Sequence, residues 1–138
     1  MKKFYWPVRI YYEDTDSGGV VYYANYLKYM ERARTEWLRS HGFEQDELIA
    51  NDGVIFAVRS VEADYLSPAV FNDHLQVSAE VIKTGRASLT FLQEITRQGE
   101  DKVLCRGKIR IVSVKQDAMK PCSIPRAIMT KIGGDSED

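Results

Sequence analysis

Between residues 75 and 114 the chain offers three long segments rich in β-branched and aromatic residues, interrupted by only two short turns. The segments span 75–83, 88–96 and 102–114, and Thr84-Gly85-Arg86 and Gln98-Gly99-Glu100-Asp101 separate them. Such short turns join antiparallel neighbours, because a parallel pair needs a crossover of a dozen residues or more. The third segment shows which side faces inward. Cys105, Gly107, Ile109 and Ile111 alternate with Arg106, Lys108 and Arg110, so one face is apolar and the other is at least partly wet.

A sheet with one apolar face needs a cover, and residues 24–41 supply it. Tyr26, Met30, Ala33 and Trp37 recur at helical spacing, with Lys28, Arg32, Glu36 and Arg39 on the opposite side. Arg32 and Glu36 are spaced to pair at i,i+4, and Gly42 stands where a helix ends. Residues 8–12 read as a short first strand. Residues 43–52 form a polar connection, and 53–65 form a long strand closed by Ser67-Pro68. The expected class is α+β, a single curved antiparallel sheet wrapped around one long helix. At 138 residues the chain makes one domain, 1–132, followed by a small acidic tail, 133–138, expected to be disordered.

Composition removes several function classes. Nineteen basic against 20 acidic side chains leave no basic face for nucleic acid. The first residues start like a secretion signal, but Pro7 and Arg9 break it before an apolar stretch forms. No run approaches the ~18 apolar residues of a membrane span, so a cytoplasmic protein is expected. Cys105 and Cys122 form no CxxC pair, and the two histidines, His41 and His74, lie away from the acidic segment, so no metal site is expected. A Gly-x-Ser-x-Gly elbow, a Walker loop and a Gly-x-Gly-x-x-Gly turn are all missing.

The segment that carries chemistry is 12–34. Asp14 and Asp16 precede Gly18-Gly19, an apolar run follows, and the amphipathic helix begins. A helix N-terminus offers unpaired N–H groups and partial positive charge. An acid beside donors that hold an oxyanion is the minimal equipment for acyl transfer. Composition and spacing do not choose among Glu13, Asp14 and Asp16, and turn-capping hydrogen bonds are the competing role for the aspartates.

The run Tyr12-x-Asp14-Thr15-Asp16-x-x-Gly19-Val20-Val21-Tyr22, then Tyr26, then Glu31-Arg32-Ala33-Arg34, resembles the hotdog-fold acyl-CoA thioesterases of the 4-hydroxybenzoyl-CoA thioesterase class. Within that class it is most similar to the YbgC-type enzymes associated with the Tol-Pal envelope system. Asp64-Tyr65-Leu66-Ser67-Pro68-Ala69, Gly85-Arg86-Ala87-Ser88 and Met119-Lys120-Pro121 add to the likeness.

The resemblance implies a hotdog fold that dimerises through sheet edges, often further into tetramers, with active sites at the dimer interface. It implies acyl-CoA hydrolysis, of short chains in particular, with no metal or redox cofactor; the coenzyme A thioester is the substrate. It further implies a link to lipid metabolism and contact with acyl carrier protein. Asp16 becomes the catalytic carboxylate, as nucleophile or general base, and the N–H of Tyr23 polarises the carbonyl. Many YbgC-type sequences carry His where Tyr23 stands, but a backbone donor needs no particular side chain. Gly19, Tyr22 and Tyr26 are candidates for the substrate pocket, and Arg86 and Ser88 for the coenzyme phosphates. The alternatives are a module that binds acyl-CoA or acyl carrier protein without turnover, and a hotdog dehydratase or hydratase.

Overall fold

Alternation along the last long strand organises the whole molecule, a computed structural model that describes residues 3–135. In β5 (Val103–Lys115) Cys105, Gly107, Ile109 and Ile111 are buried while Arg106, Lys108 and Arg110 are exposed, as the sequence predicts. Preceding it are β1 (Phe4–Arg9), α1 (Asn25–Ser40), α2 (Gln45–Asp52), β2 (Val54–Tyr65), β3 (His74–Thr84) and β4 (Ser88–Arg97). A two-residue β6 (Lys120–Pro121) and α3 (Arg126–Asp135) follow. The strands form one antiparallel sheet in the order β1-β3-β4-β5-β2, with β6 on β5. The expected meander is therefore β3-β4-β5.

Helix α1 leaves β1 at one edge, crosses the apolar face and delivers the chain to β2 at the other edge. Its buried side is Tyr26, Tyr29, Met30, Ala33, Trp37 and Leu38. Gly107 explains how closely it packs. A Cβ at Gly107 would stand 2.7 Å from Met30 Sδ and 2.9 Å from Ile109 Cδ1, so any side chain there would force those side-chain ends under the helix to move. Further along, Trp37 meets Phe91 edge-on at 5.0 Å. Each such aromatic or aliphatic side chain taken fully out of water contributes about 1.5–3 kcal/mol, and that burial holds the helix in place.

Four local expectations change. Tyr12–Asp14 forms a 3-10 turn rather than the end of the first strand, because Asp14 draws the chain round by accepting from the Tyr11 N–H at 2.7 Å. The polar connection contains α2, which buries only Leu48 and so shows almost no apolar period. Glu36 pairs with Arg39 instead of Arg32, and the Arg32 guanidinium lies over the Tyr29 ring at 5.5 Å. Helix α3 carries the chain through Gly133 to Asp135; residues 136–138 of the predicted tail lie outside the described residues.

Two edges remain. The β2 edge is 12 residues long, interrupted by a register shift at Arg59, and exposes Val58 and Val61. A long, partly apolar strand with one unpaired side is an open surface for further strand pairing. Among the described residues no helix is long and apolar enough to cross a membrane.

Candidate active site

The acidic segment folds as a small hairpin of its own. Thr15 bridges Val21, Asp16 N donates to Val20 O at 2.9 Å, and Tyr22 N donates to Asp14 O at 2.9 Å. The tip closes when Gly19 N donates to Asp16 O at 3.0 Å. Gly19 then takes φ +82°, the left-handed conformation that a three-residue hairpin loop requires and glycine adopts without strain. Two ties anchor the hairpin. Val21 N donates to Ala69 O at 2.9 Å, and Asn25, in the first turn of α1, donates from Nδ2 to Asp14 O at 3.0 Å. Asp16 is thereby fixed beside the start of α1.

The two aspartates have different surroundings. Asp14 is half-buried, and its Oδ2 takes the Tyr11 N–H. It also faces Tyr29, whose phenol is pushed up by burial first and by the Asp14 charge second. Asp16 is exposed; its Oδ1 accepts from Gly18 N at 2.8 Å, and among the described residues its Oδ2 accepts nothing. One oxygen orients the carboxylate while the other stays open.

Free donors follow the hairpin directly in the chain. The first turn of α1 is closed by Asn25 N to Tyr22 O at 2.9 Å and Tyr26 N to Tyr23 O at 3.3 Å. Among the described residues the N–H groups of Tyr23 and Ala24 have no acceptor. They point from a helix N-terminus, where the aligned peptide dipoles favour negative charge.

Aromatic rings wall the approach. Tyr22 and Tyr23 lie 5.0 Å apart, Tyr23 meets Tyr65 at 5.7 Å, and Tyr65 meets Tyr26 at 5.8 Å. Tyr23, Tyr26 and Tyr65 line, with Val21 and Pro68, an open hollow of ≈ 250 Å³, and Tyr22 packs on Tyr23 beside it. Tyr22 and Tyr23 are exposed. Tyr26 is buried and shows the hollow only a ring edge; its hydroxyl accepts the Ala69 N–H at 3.0 Å, and burial, chiefly, pushes its phenol up. Tyr26 thus positions the Ala69 strap that holds Val21.

Arg86 and Ser88 lie elsewhere. Arg86 sits in the β3–β4 turn and Ser88 opens β4, at the opposite end of β3 from the hairpin, and the 11 residues of β3 span roughly 35 Å at ~3.3 Å per residue. Arg86 Nη1 donates to Ser123 Oγ at 2.7 Å, and Ile124 N donates to Arg86 O at 2.9 Å. One chain therefore assembles Asp16, Gly19, Tyr22, Tyr23 and Tyr26 but does not bring Arg86 or Ser88 to them. Sequence reasoning passed over Asn25 and Tyr65. Tyr65 lies in the Asp64–Ala69 stretch that the resemblance already marks, whereas Asn25 differs from an ordinary first-turn residue only by its bond to Asp14. Among the described residues no three His, Cys, Asp or Glu side chains gather as a metal site would need.

Comparison with known proteins places this geometry. Residues 11–132 match the Thioesterase-like superfamily. The chain belongs to that family. The acyl-CoA thioester hydrolase YbgC of Escherichia coli O157:H7 is 43% identical over 128 residues, 93% of this chain and 94% of the relative. The acyl-CoA thioesterase YbgC of Haemophilus influenzae is 39% identical over 125 residues, 91% of this chain and 90% of the relative. Among solved structures, a 1,4-dihydroxy-2-naphthoyl-CoA thioesterase from Synechocystis superposes with a TM-score of 0.88 at 23% identity, covering 96% of both chains. The hotdog fold expected from the resemblance is thus the fold of this family member.

Proposed function

We propose that this thioesterase-family chain hydrolyses acyl-CoA thioesters, preferring short acyl groups, at the Asp16 hairpin. The observation that carries the reading is a carboxylate with one oriented and one open oxygen, fixed beside two N–H groups at a helix start that have no acceptor. In the nucleophilic route Asp16 Oδ2 attacks the thioester carbon, and the carbonyl oxygen takes up negative charge against the N–H groups of Tyr23 and Ala24. The C–S bond then breaks, the coenzyme leaves as a thiol after taking a proton from water, and water cleaves the mixed anhydride. In the general-base route Asp16 instead takes a proton from water as that water attacks. Both give a carboxylic acid and free coenzyme A.

The coenzyme phosphates need cations, and those at this end are engaged: Arg9 with Asn72, Arg32 over the Tyr29 ring, and Arg97 with Asp73 and Pro68 O. Arg86 and Ser88 fit that role, an Arg fork being suited to phosphate oxygens, but they lie roughly 35 Å away. A homodimer joined antiparallel along the β2 edges reconciles the two. Tyr65 ends β2 at the hairpin end and Val54 begins it at the other, so antiparallel pairing sets the hairpin of one copy beside the far end of the second. The tyrosine hollow would then receive the acyl-pantetheine arm at the interface; pairs of dimers, acyl carrier protein as an alternative carrier of the same arm, a cytoplasmic setting and a role in envelope lipid metabolism belong to the same proposal.

The test is free-thiol release from a panel of acyl-CoAs by the natural protein and by Asp16→Asn. Release that is lost in a folded Asp16→Asn supports the reading. Saturable binding without release on any chain length would make the chain a binding module and leave Asp16 a turn residue.

A further inference from the structure

Between the second half of α1 and the sheet lies a cavity of ≈ 100 Å³ whose walls include no residue of the hairpin. Trp37, Leu38 and Phe91 form its inner wall, and Phe56 of β2 lies at its rim. Apolar space under a helix is ordinary. The charge at one end is not, because Arg34 lines the same cavity.

Gln93 fixes that guanidinium. Its side chain is fully buried, and its Nε2 donates to the carbonyls of Met30 at 3.0 Å and Ser78 at 3.2 Å. With the amide nitrogen committed to two acceptors, Oε1 must face the other way, and Arg34 Nη1 donates to it at 2.9 Å. Among the described residues this is the only side-chain hydrogen bond from Arg34, and no carboxylate lies within ion-pairing distance. Glu31 lines the same cavity and its charge acts on Arg34, but it is exposed, makes no ion pair with the guanidinium, and its Oε2 accepts from the Thr35 hydroxyl. A partly buried charge is normally paired, and a neutral amide leaves most of the guanidinium fork open toward the cavity.

We infer that this cavity binds a small carboxylate, its oxygens on Arg34 and its apolar body against Trp37 and Phe91. The volume sets how much enters: at ≈ 100 Å³, below the ~150 Å³ that admits benzene, it takes about four heavy atoms, the carboxylate and its adjoining carbon, and the rest of a short acid reaches out past Phe56. The site is separate from the hairpin of its own chain, since Arg34 lies roughly 15 Å along α1 from Ala24 at ~1.5 Å per residue. The carboxylate has two sources, a free short-chain acid or the distal carboxylate of an acyl group held at the hairpin of a second copy across β2.

The test is calorimetric titration of the natural protein with butyrate and with butyramide, its neutral counterpart. Butyrate is expected to saturate one site per chain and to bind at least ~10-fold more tightly than butyramide, because a charge-assisted fork needs the carboxylate. Arg34→Met should erase that preference, and Phe56→Trp, which fills the rim with Arg34 in place, should weaken butyrate as strongly. Thermal melting confirms that each variant folds. A natural protein that fails to bind butyrate, or a folded Arg34→Met or Phe56→Trp that binds it unchanged, overturns the site.

Turnover identifies the source. If Arg34→Met lowers kcat/KM for succinyl-CoA but spares butyryl-CoA, the carboxylate arrives on the acyl group. If it spares both but abolishes inhibition by butyrate, the free acid is the ligand. The titration does not require turnover, so it stands whether or not the thioesterase reading holds.

Discussion

The two ends of the sheet are built to opposite rules. At the hairpin end polar groups are oriented and left open: Asp16 keeps a free oxygen, and two N–H groups at the α1 start have no acceptor. At the β3–β4 turn end they are engaged within the chain, with Arg86 bonded to Ser123 through its side chain and to Ile124 through its carbonyl. The first arrangement suits chemistry and the second suits holding a ligand against a firm support. Roughly 35 Å separates them along β3, and in the proposed dimer a second copy would bring opposite ends together.

Substitutions at the two ends should therefore fail differently. Asp16→Ala should lower kcat at least ~10³-fold, the scale of losing a reacting group, with melting unchanged. Arg86→Ala should raise KM about tenfold with kcat intact, and should leave a pantetheine thioester lacking the nucleotide unaffected. Steady-state thiol release on both substrates separates the two, and a kcat defect in Arg86→Ala would break the contrast.

Smaller effects sharpen it. Gly107→Ala forces a methyl against Met30 under the helix that leads from the hairpin, and should cost about 1–3 kcal/mol in denaturant unfolding. Tyr26→Phe orphans the Ala69 N–H, at about 1–3 kcal/mol, and should also lower turnover because the Ala69 strap holds Val21. Last, burial pushes the Cys105 thiol up to about 11, so at pH 8 it stays protonated. Alkylation of the native protein should then mark the half-buried Cys122 before Cys105, as peptide mass spectrometry would read.

What the sequence disclosed follows from how local each signal is. The Cys105-Gly107-Ile109-Ile111 face, the buried side of α1 and the three-strand meander are written in periodicity, and each appears in the structure. Helix α2 is not, because with Leu48 alone buried it carries no apolar stripe. The tyrosines of 11–12 imitate a strand, but the reach of Asp14 back to Tyr11 N and of Thr15 to Tyr12 O closes a 3-10 turn there. In the hairpin, the resemblance pointed to Asp16 where spacing left the choice open; the exposure that separates it from the half-buried Asp14 depends on how the hairpin packs, which no spacing rule expresses. The separation of Arg86 from the hairpin was invisible, since it depends on which end of β3 each loop occupies.

The most direct measurement is complementation between the ends. Asp16→Asn and Arg86→Ala chains, co-expressed with different tags and purified as the mixed species, are assayed at substrate concentrations well below KM. If opposite ends of two copies form one site, each mixed pair regains one intact site and about half the natural kcat/KM per pair. Activity no higher than the mean of the two parent variants would contradict the account, because both ends would then serve only their own chain.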